Sequence, residues 1–216
     1  PGFREINTAK LVSEKLGNLG IPFRAGLAIT GIRADLLCGN PGPTMAILGE
    51  LDSLIVNEHP FANPSTGAAH ACGHHCQIGM LLGAAMALNQ PKILEALSGR
   101  IALITVPAEE YIEIEYRDEL RKQGQLEFLG GKPELIKLGE FDDVDLAMMV
   151  HTTSTPEEKQ LCVSGTNNGT VAKKIQFIGK GSHAGGSPHL GINALNAATL
   201  ALSAIHFNRE TFKDTD

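Results

Sequence analysis

The sequence predicts an α/β fold, and three features carry that expectation. Short apolar runs bounded by Gly, Pro or charge recur along the first two thirds of the chain, as buried strands do. Stretches with apolar residues at helical spacing lie between them. After about Cys162 the character changes, which predicts the start of a smaller α+β domain.

The opening "INTAKLVSEKLGNLG" spaces Val12, Leu16 and Leu19 as one helical face, and Gly17 and Gly20 punctuate it. "AGLAITGI" and "TMAILGEL" read as strands. "QIGMLLGAAMALNQ" is apolar on almost every side, as a buried helix would be, and Pro91 ends it. "RIALITV" reads as a further buried strand. Tyr111 to Asp145 is charged, with Gly130 and Gly131 inside it, and predicts surface helices. "DLAMMV" then gives another apolar strand.

"GTNNGT" is turn-rich and suits a hinge. "VAKKIQFIG" follows with a partial period of two, as in a half-exposed strand. Ile192, Leu195, Thr199, Leu202 and His206 mark a helical face. The domain boundary is therefore expected near residue 164, dividing the chain into 1–163 and 164–216.

Bulk properties exclude several classes of function. The 216 residues are 43% hydrophobic, enough for a real core, and the net charge is −6. That charge and a pI near 5.8 argue against a nucleic-acid partner, which calls for a basic face. No apolar run reaches the roughly 18–20 residues that span a bilayer, so no membrane association is expected. Cys38, Cys72, Cys76 and Cys162 are too sparse for a disulfide scaffold. A reducing, cytoplasmic setting is the expectation.

The chemistry gathers where strands end. "TMAILGEL" leads to Asp52, "RIALITV" to Glu109 and Glu110, and "DLAMMV" to His151. In open α/β sheets, ligands bind outside the carboxyl ends of the strands. Between the first two strands lies "HACGHHCQIG", with Cys72 and His74 just before the apolar helix. Thiolate, imidazole and carboxylate are the ligands of zinc and similar divalent ions. Adjacent glutamates suit a division of labour in which one binds metal and the other is a free base.

Each residue also has a plainer reading. Cys72 alone is as well explained as a small buried hydrophobe. His74 and His75 alone suit hydrogen-bonded structural histidines, Glu109-Glu110 a solvated strand end, His151 a cap on the strand exit, and Asp52 an ordinary turn. Cys72 and Cys76 together suit a thiol redox pair, although their spacing is not Cys-x-x-Cys. Their joint occurrence at successive strand ends favours the metal site. His59, His189 and His206 read as surface or packing residues.

Five ordered blocks then carry a resemblance: "GELDSL", "HACGHH…MLLGAAMAL", "VPAEEY", "VHTTS" and "GKGSHAGGSPHLGINALNAA". They resemble the landmarks of the zinc-type amidohydrolases of the aminoacylase and glutamate carboxypeptidase family. The relatives of that family include aminobenzoyl-glutamate and auxin-conjugate hydrolases. The resemblance implies a three-layer catalytic domain with a mixed central sheet, followed by part of a lid domain through which relatives form homodimers. It implies two divalent metal ions, zinc, manganese or similar, and small N-acyl amino acid or peptide-like substrates.

By that resemblance Cys72, His74, Glu110 and His151 are metal ligands and Glu109 is the general base. Asp52 is an acidic residue supporting the site. His183 and Asn193 are substrate-binding residues of the lid.

Two departures from the family pattern bear on this reading. His75, Cys76 and Gln77 follow the ligand histidine where the family commonly has Asp-Gly-His. The family also supplies one more histidine ligand beyond the point where this sequence stops. The chain is therefore expected to be an N-terminal fragment, inactive by itself, and Pro1 in place of Met implies residues upstream as well. A non-catalytic relative that keeps the fold is the competing expectation.

Overall fold

The computed structural model describes residues 1–153, 163, 169, 171 and 173–213. The chain divides into two compact units, Pro1–Ser164 and Gly165–Asp216.

The first unit opens with α1 (Ile6–Asn18), which buries Val12 and Leu16 as their spacing predicts. Gly20 ends it at φ 69°, a conformation that costs glycine little. The amide of Ile21 then reaches back to the Leu16 carbonyl at 3.0 Å. There follow β1 (Phe23–Leu27), β2 (Gly31–Leu37), β3 (Asn40–Glu50), and the short strands β4 (Leu54–Ile55) and β5 (Ala68–Ala69). Next come α2 (His74–Leu88), α3 (Pro91–Ala96), β6 (Ser98–Val106), α4 (Ile114–Lys122), α5 (Gly131–Lys137) and β7 (Leu146–Met149).

The main sheet has the order β1-β2-β6-β3-β7. β3 runs parallel to both β6 and β7, whereas β2 is antiparallel to β6. The sheet is therefore mixed, and its central strand is β6. Along β6 the side chains alternate between two cores, as a strand covered on both faces must. Ile101 and Leu103 join Val12, Leu16, Ile78 and Leu81 on the side of α1 and α2. Ala102, Ile104 and Val106 join Leu120, Leu126 and Leu135 on the side of α4 and α5. The result is the expected three-layer α/β arrangement.

Several expectations are corrected. "AGLAITGI" is not one strand: β1 and β2 form a hairpin that turns at Ala28 and Ile29, both at positive φ. Neither positive-φ residue is Asn or Gly; Gly31 closes the turn, where a Cβ would meet the Leu27 carbonyl, and Ala28 is buried. α2 is not buried all round. Gln77, Ile78, Leu81 and Ala85 face the core while Met80 and Met86 are exposed. β7 is apolar but exposed throughout, since it lies at the sheet edge. The charged stretch after Tyr111 does form helices, yet Arg117, Glu134 and Leu135 within it are buried.

In the second unit, α6 (Ala194–Phe207) occupies the predicted helical stretch, with Ile192 just before it. The expected strand over 171–179 forms no ladder among the described residues. A strand needs a hydrogen-bonding partner, and here the pairing is a single bridge between Lys180 and Ile192. The hinge candidate, apart from Gly169, and Cys162 lie outside the described residues. No helix among those described is long and apolar enough to cross a membrane.

Candidate metal centre

Parallel strands deliver their carboxyl ends to one edge, and this positions the site. Glu50, the last residue of β3, lies opposite Val106, the last of β6, and Leu48 lies opposite Met149 of β7. Asp52, Glu109 and His151 follow these ends and share that edge. The loop before α2 adds Cys72, and His74 is the first residue of the helix. Gly73 between them sits at φ 94°, and a Cβ there would run into the Thr152 side chain.

His74 is fully buried. Its Nδ1–H donates to the Asp52 carbonyl at 3.0 Å, and Asp52 Oδ1 lies 3.2 Å away. Its Nε2 faces Glu50 Oε2 at 3.1 Å and Glu109 Oε2 at 3.8 Å, without a hydrogen bond of good geometry. Burial is the largest influence on this imidazole and disfavours its charge. The carboxylates of Asp52 and Glu50 outweigh it and lift the pKa to about 10.

His151 repeats the arrangement. Its Nδ1–H donates to the Thr152 carbonyl at 2.6 Å, and its Nε2 lies 3.6 Å from Cys72 Sγ. The two imidazoles meet edge to face, with centroids 6.0 Å apart.

These donors fit a metal ion. Ligand atoms of Cys72, His74 and His151 lie within 4.8 Å of one another, as do those of Glu50, His74 and Glu109. Ligating histidines characteristically give their second N–H to a carbonyl or carboxylate, as both do here. His74 Nε2 faces the Glu50 and Glu109 carboxylates, and imidazole and carboxylate together are a donor set for a divalent cation.

The glutamate pair is divided by its surroundings. Glu109 is partly exposed, and burial, then the charge of Glu50, raise its pKa above the ordinary value. Lys132 stands 3.8 Å from it. Glu110 donates its backbone N–H to Asp52 Oδ2 at 2.9 Å. Cys72 lies beside Glu110, and burial, then that carboxylate, push its thiol up to about 12. A cleft lined by His70, Cys72, His75, Cys76, His151 and Thr152 opens beside these groups.

The structure thus brings Asp52, Cys72, His74, Glu109, Glu110 and His151 together. His183 and Asn193 belong to the second unit. His183 is exposed, and its Nδ1 accepts from the Gly186 N–H at 2.8 Å. Asn193 caps α6, its side chain accepting from the Leu195 N–H at 3.0 Å.

Glu50 and Lys132 were missed by sequence reasoning. Glu50 is 1% exposed, ion-paired to Lys132 and bonded to Gln77 Nε2 at 3.0 Å. Burial, its largest influence, raises the pKa, but His74 and Lys132 bring it down to about 2. Its signal was a carboxylate closing an apolar strand, which requires a buried partner.

Several known proteins are similar to this chain in sequence. Thermostable carboxypeptidase 1 of Saccharolobus solfataricus is 33% identical over 94% of this chain and 49% of its own length. Indole-3-acetyl-aspartic acid hydrolase of Enterobacter agglomerans is 35% identical, covering 82% of this chain and 39% of its own. One subunit of the p-aminobenzoyl-glutamate hydrolase of Escherichia coli is 34% identical over the same shares. The chain therefore spans about half or less of these relatives' length.

Among solved structures, the Bacillus subtilis YXEP protein is a dinuclear metal binding peptidase from the M20 family. It superposes with a TM-score of 0.53 at 26% identity, over 68% of this chain and 37% of its own. A protein of methicillin-resistant Staphylococcus aureus gives 0.65 at 25% identity, over 99% and 53%. Residues 46–206 match the model of Peptidase family M20/M25/M40, and the chain belongs to that family.

Proposed function

We propose that this chain carries the larger part of the active site of a metal-dependent amidohydrolase. Its substrates are N-acyl or aminobenzoyl amino acids, or small peptides. The observation that carries the reading is the pair of histidines, His74 and His151, each with Nδ1 bound to a carbonyl and Nε2 turned towards Cys72 or the acidic cluster.

Cys72, His74, Glu110 and His151 would hold two divalent ions, zinc, manganese or similar. Bound there, such ions lower the pKa of water towards about 7 and polarise the scissile carbonyl. Glu109 takes the proton of the attacking water on its carboxylate and returns it to the leaving amine. A pKa raised by burial suits that role better than an ordinary carboxylate. Asp52 holds the His74 ring and the Glu110 backbone in place. His183 binds the substrate's carboxylate or reacting carbonyl, and Asn193 assists from the same block.

The small conjugates named for the Enterobacter and Escherichia relatives support the substrate class. Free Cys38, Cys72 and Cys76 support a reducing, cytoplasmic setting. The net charge of −6 supports a small-molecule partner over nucleic acid. Homodimerisation through the unit that contains α6 belongs to the same proposal.

The test is metal content by elemental analysis after purification without chelator. One or two equivalents of zinc or manganese per chain, lost in Cys72→Ala and His74→Ala, is the expected result. No binding even with excess metal would overturn the assignment of the ligands.

A further inference from the structure

The glutamates at the end of β6 sit on a strained piece of backbone. Ala108 has φ 50°, in the left-handed region that residues with a Cβ avoid. Such a conformation persists only where the surroundings impose it. Here two buried charged side chains from distant segments do so.

Glu5 precedes α1 at the position where a side chain commonly caps the helix, yet it makes no such cap. Only 4% exposed, it turns inward. Its Oε1 accepts from the Ala108 N–H at 2.8 Å and the Phe3 N–H at 3.0 Å, and its Oε2 from the Thr30 hydroxyl at 2.6 Å. Arg117 of α4 is 1% exposed. Its hydrogen bonds go to backbone carbonyls: Nη1 to Ala108 at 3.1 Å and Leu129 at 2.8 Å, and Nη2 to Glu110.

The Ala108 N–H and carbonyl are thus both held by buried ionic groups. The Glu110 peptide is held between Arg117 and Asp52. A buried arginine bonded to carbonyls rather than to a carboxylate is costly in an interior. Its geometry serves the segment it grips.

We propose that Glu5 and Arg117 are positioning residues, a two-sided clamp on the Ala108–Glu110 backbone that aims the Glu109 and Glu110 carboxylates. The proposal rests on the reading of these glutamates as base and ligand. The clamp itself is a statement about backbone and is tested separately. Neither residue touches the reacting atoms. Oxygen acceptance, not charge, is what Glu5 contributes, so Gln at that position retains the Ala108 bond.

The experiment compares wild type with Glu5→Ala, Glu5→Gln, Arg117→Met and Arg117→Lys in the full chain. Amide hydrogen exchange is read at Ala108, Glu110 and the β6 core, alongside zinc affinity by competition with a chromophoric chelator. Glu5→Ala and Arg117→Met are expected to lose protection at Ala108 and Glu110 while β6 stays protected, and to bind zinc about 10–100-fold more weakly. Glu5→Gln is expected to keep both properties, and Arg117→Lys to fall between.

Unchanged protection at Ala108 would overturn the proposal. So would equal loss of protection along β6 in both Glu5→Ala and Arg117→Lys, which would make these ordinary core residues. Wild-type chain that shows the protection pattern but binds no zinc would sink the metal reading and leave the clamp standing.

Discussion

The Nδ1–H of His74 is bonded to the main-chain oxygen of Asp52, while the carboxylate of the same aspartate lies 3.2 Å from the same nitrogen. One residue thus fixes the ring by backbone and by charge. Its second oxygen also takes the Glu110 N–H. Asp52→Ala should weaken zinc binding about 10–100-fold with the fold retained. Asp52→Asn should lose less, because its amide oxygen can still accept from Glu110. A chelator-competition titration checks this, and equal affinities for wild type and Asp52→Ala would contradict it.

On the proposed division of roles, Glu109→Gln removes the general base while preserving shape. Under the proposed function, hydrolysis of an aminobenzoyl amino acid by the metal-loaded full-length protein should fall by about 10²–10⁴-fold. Metal content should not change. Loss of metal from this variant would show that Glu109 is a ligand and that the two glutamates do not divide the work as proposed.

Gly73→Ala adds one methyl group between two donors. At φ 94° the new Cβ meets the Thr152 side chain, and the left-handed backbone alone costs about 1–2 kcal/mol. The melting temperature should fall by a few degrees. Zinc affinity should fall more sharply, because Thr152 adjoins His151 and its carbonyl holds that ring. Calorimetry and a metal titration on the same sample separate the two effects.

Away from the site, Asp143 is held by Arg33, which bonds both of its oxygens at 2.9 and 2.8 Å. That contact brings its pKa down to about 2. A carboxylate depressed by folding stabilises the protein above its unfolded pKa and ceases to do so as pH falls through the folded one. Asp143→Asn should therefore lower the melting temperature at pH 6. The difference from wild type should shrink between about pH 4 and pH 2. A gap constant over that window would mean the charge is not what matters.

Much of the candidate site was legible because a donor at the end of an apolar run is conspicuous. Asp52, Glu109, Glu110 and His151 all stand out in this way, and Cys72 and His74 stand out at the start of an apolar helix. Glu50 also closes an apolar run, but its partners Gln77 and Lys132 come from elsewhere in the chain, so nothing local marked it as buried. Glu5 and Arg117 were hidden for a related reason. In helical sequence a charged residue reads as solvated, and only tertiary contact makes it interior. The turn at Ala28 and Ile29 has no Asn or Gly at these two positive-φ positions, so one run of apolar letters concealed two strands.

The clamp and the donor pair also have a kinetic side. Glu5 and Ala108 are 103 residues apart in the chain, and Cys72 and His151 are 79 apart. Closing loops of that span costs entropy before any contact repays it, so these contacts are expected to form late in folding. Helices α1 and α2 and the local β1–β2 hairpin can organise first. Recovery of zinc affinity during refolding should consequently lag recovery of helical circular dichroism, making the metal a reporter of the last event in the assembly of this unit.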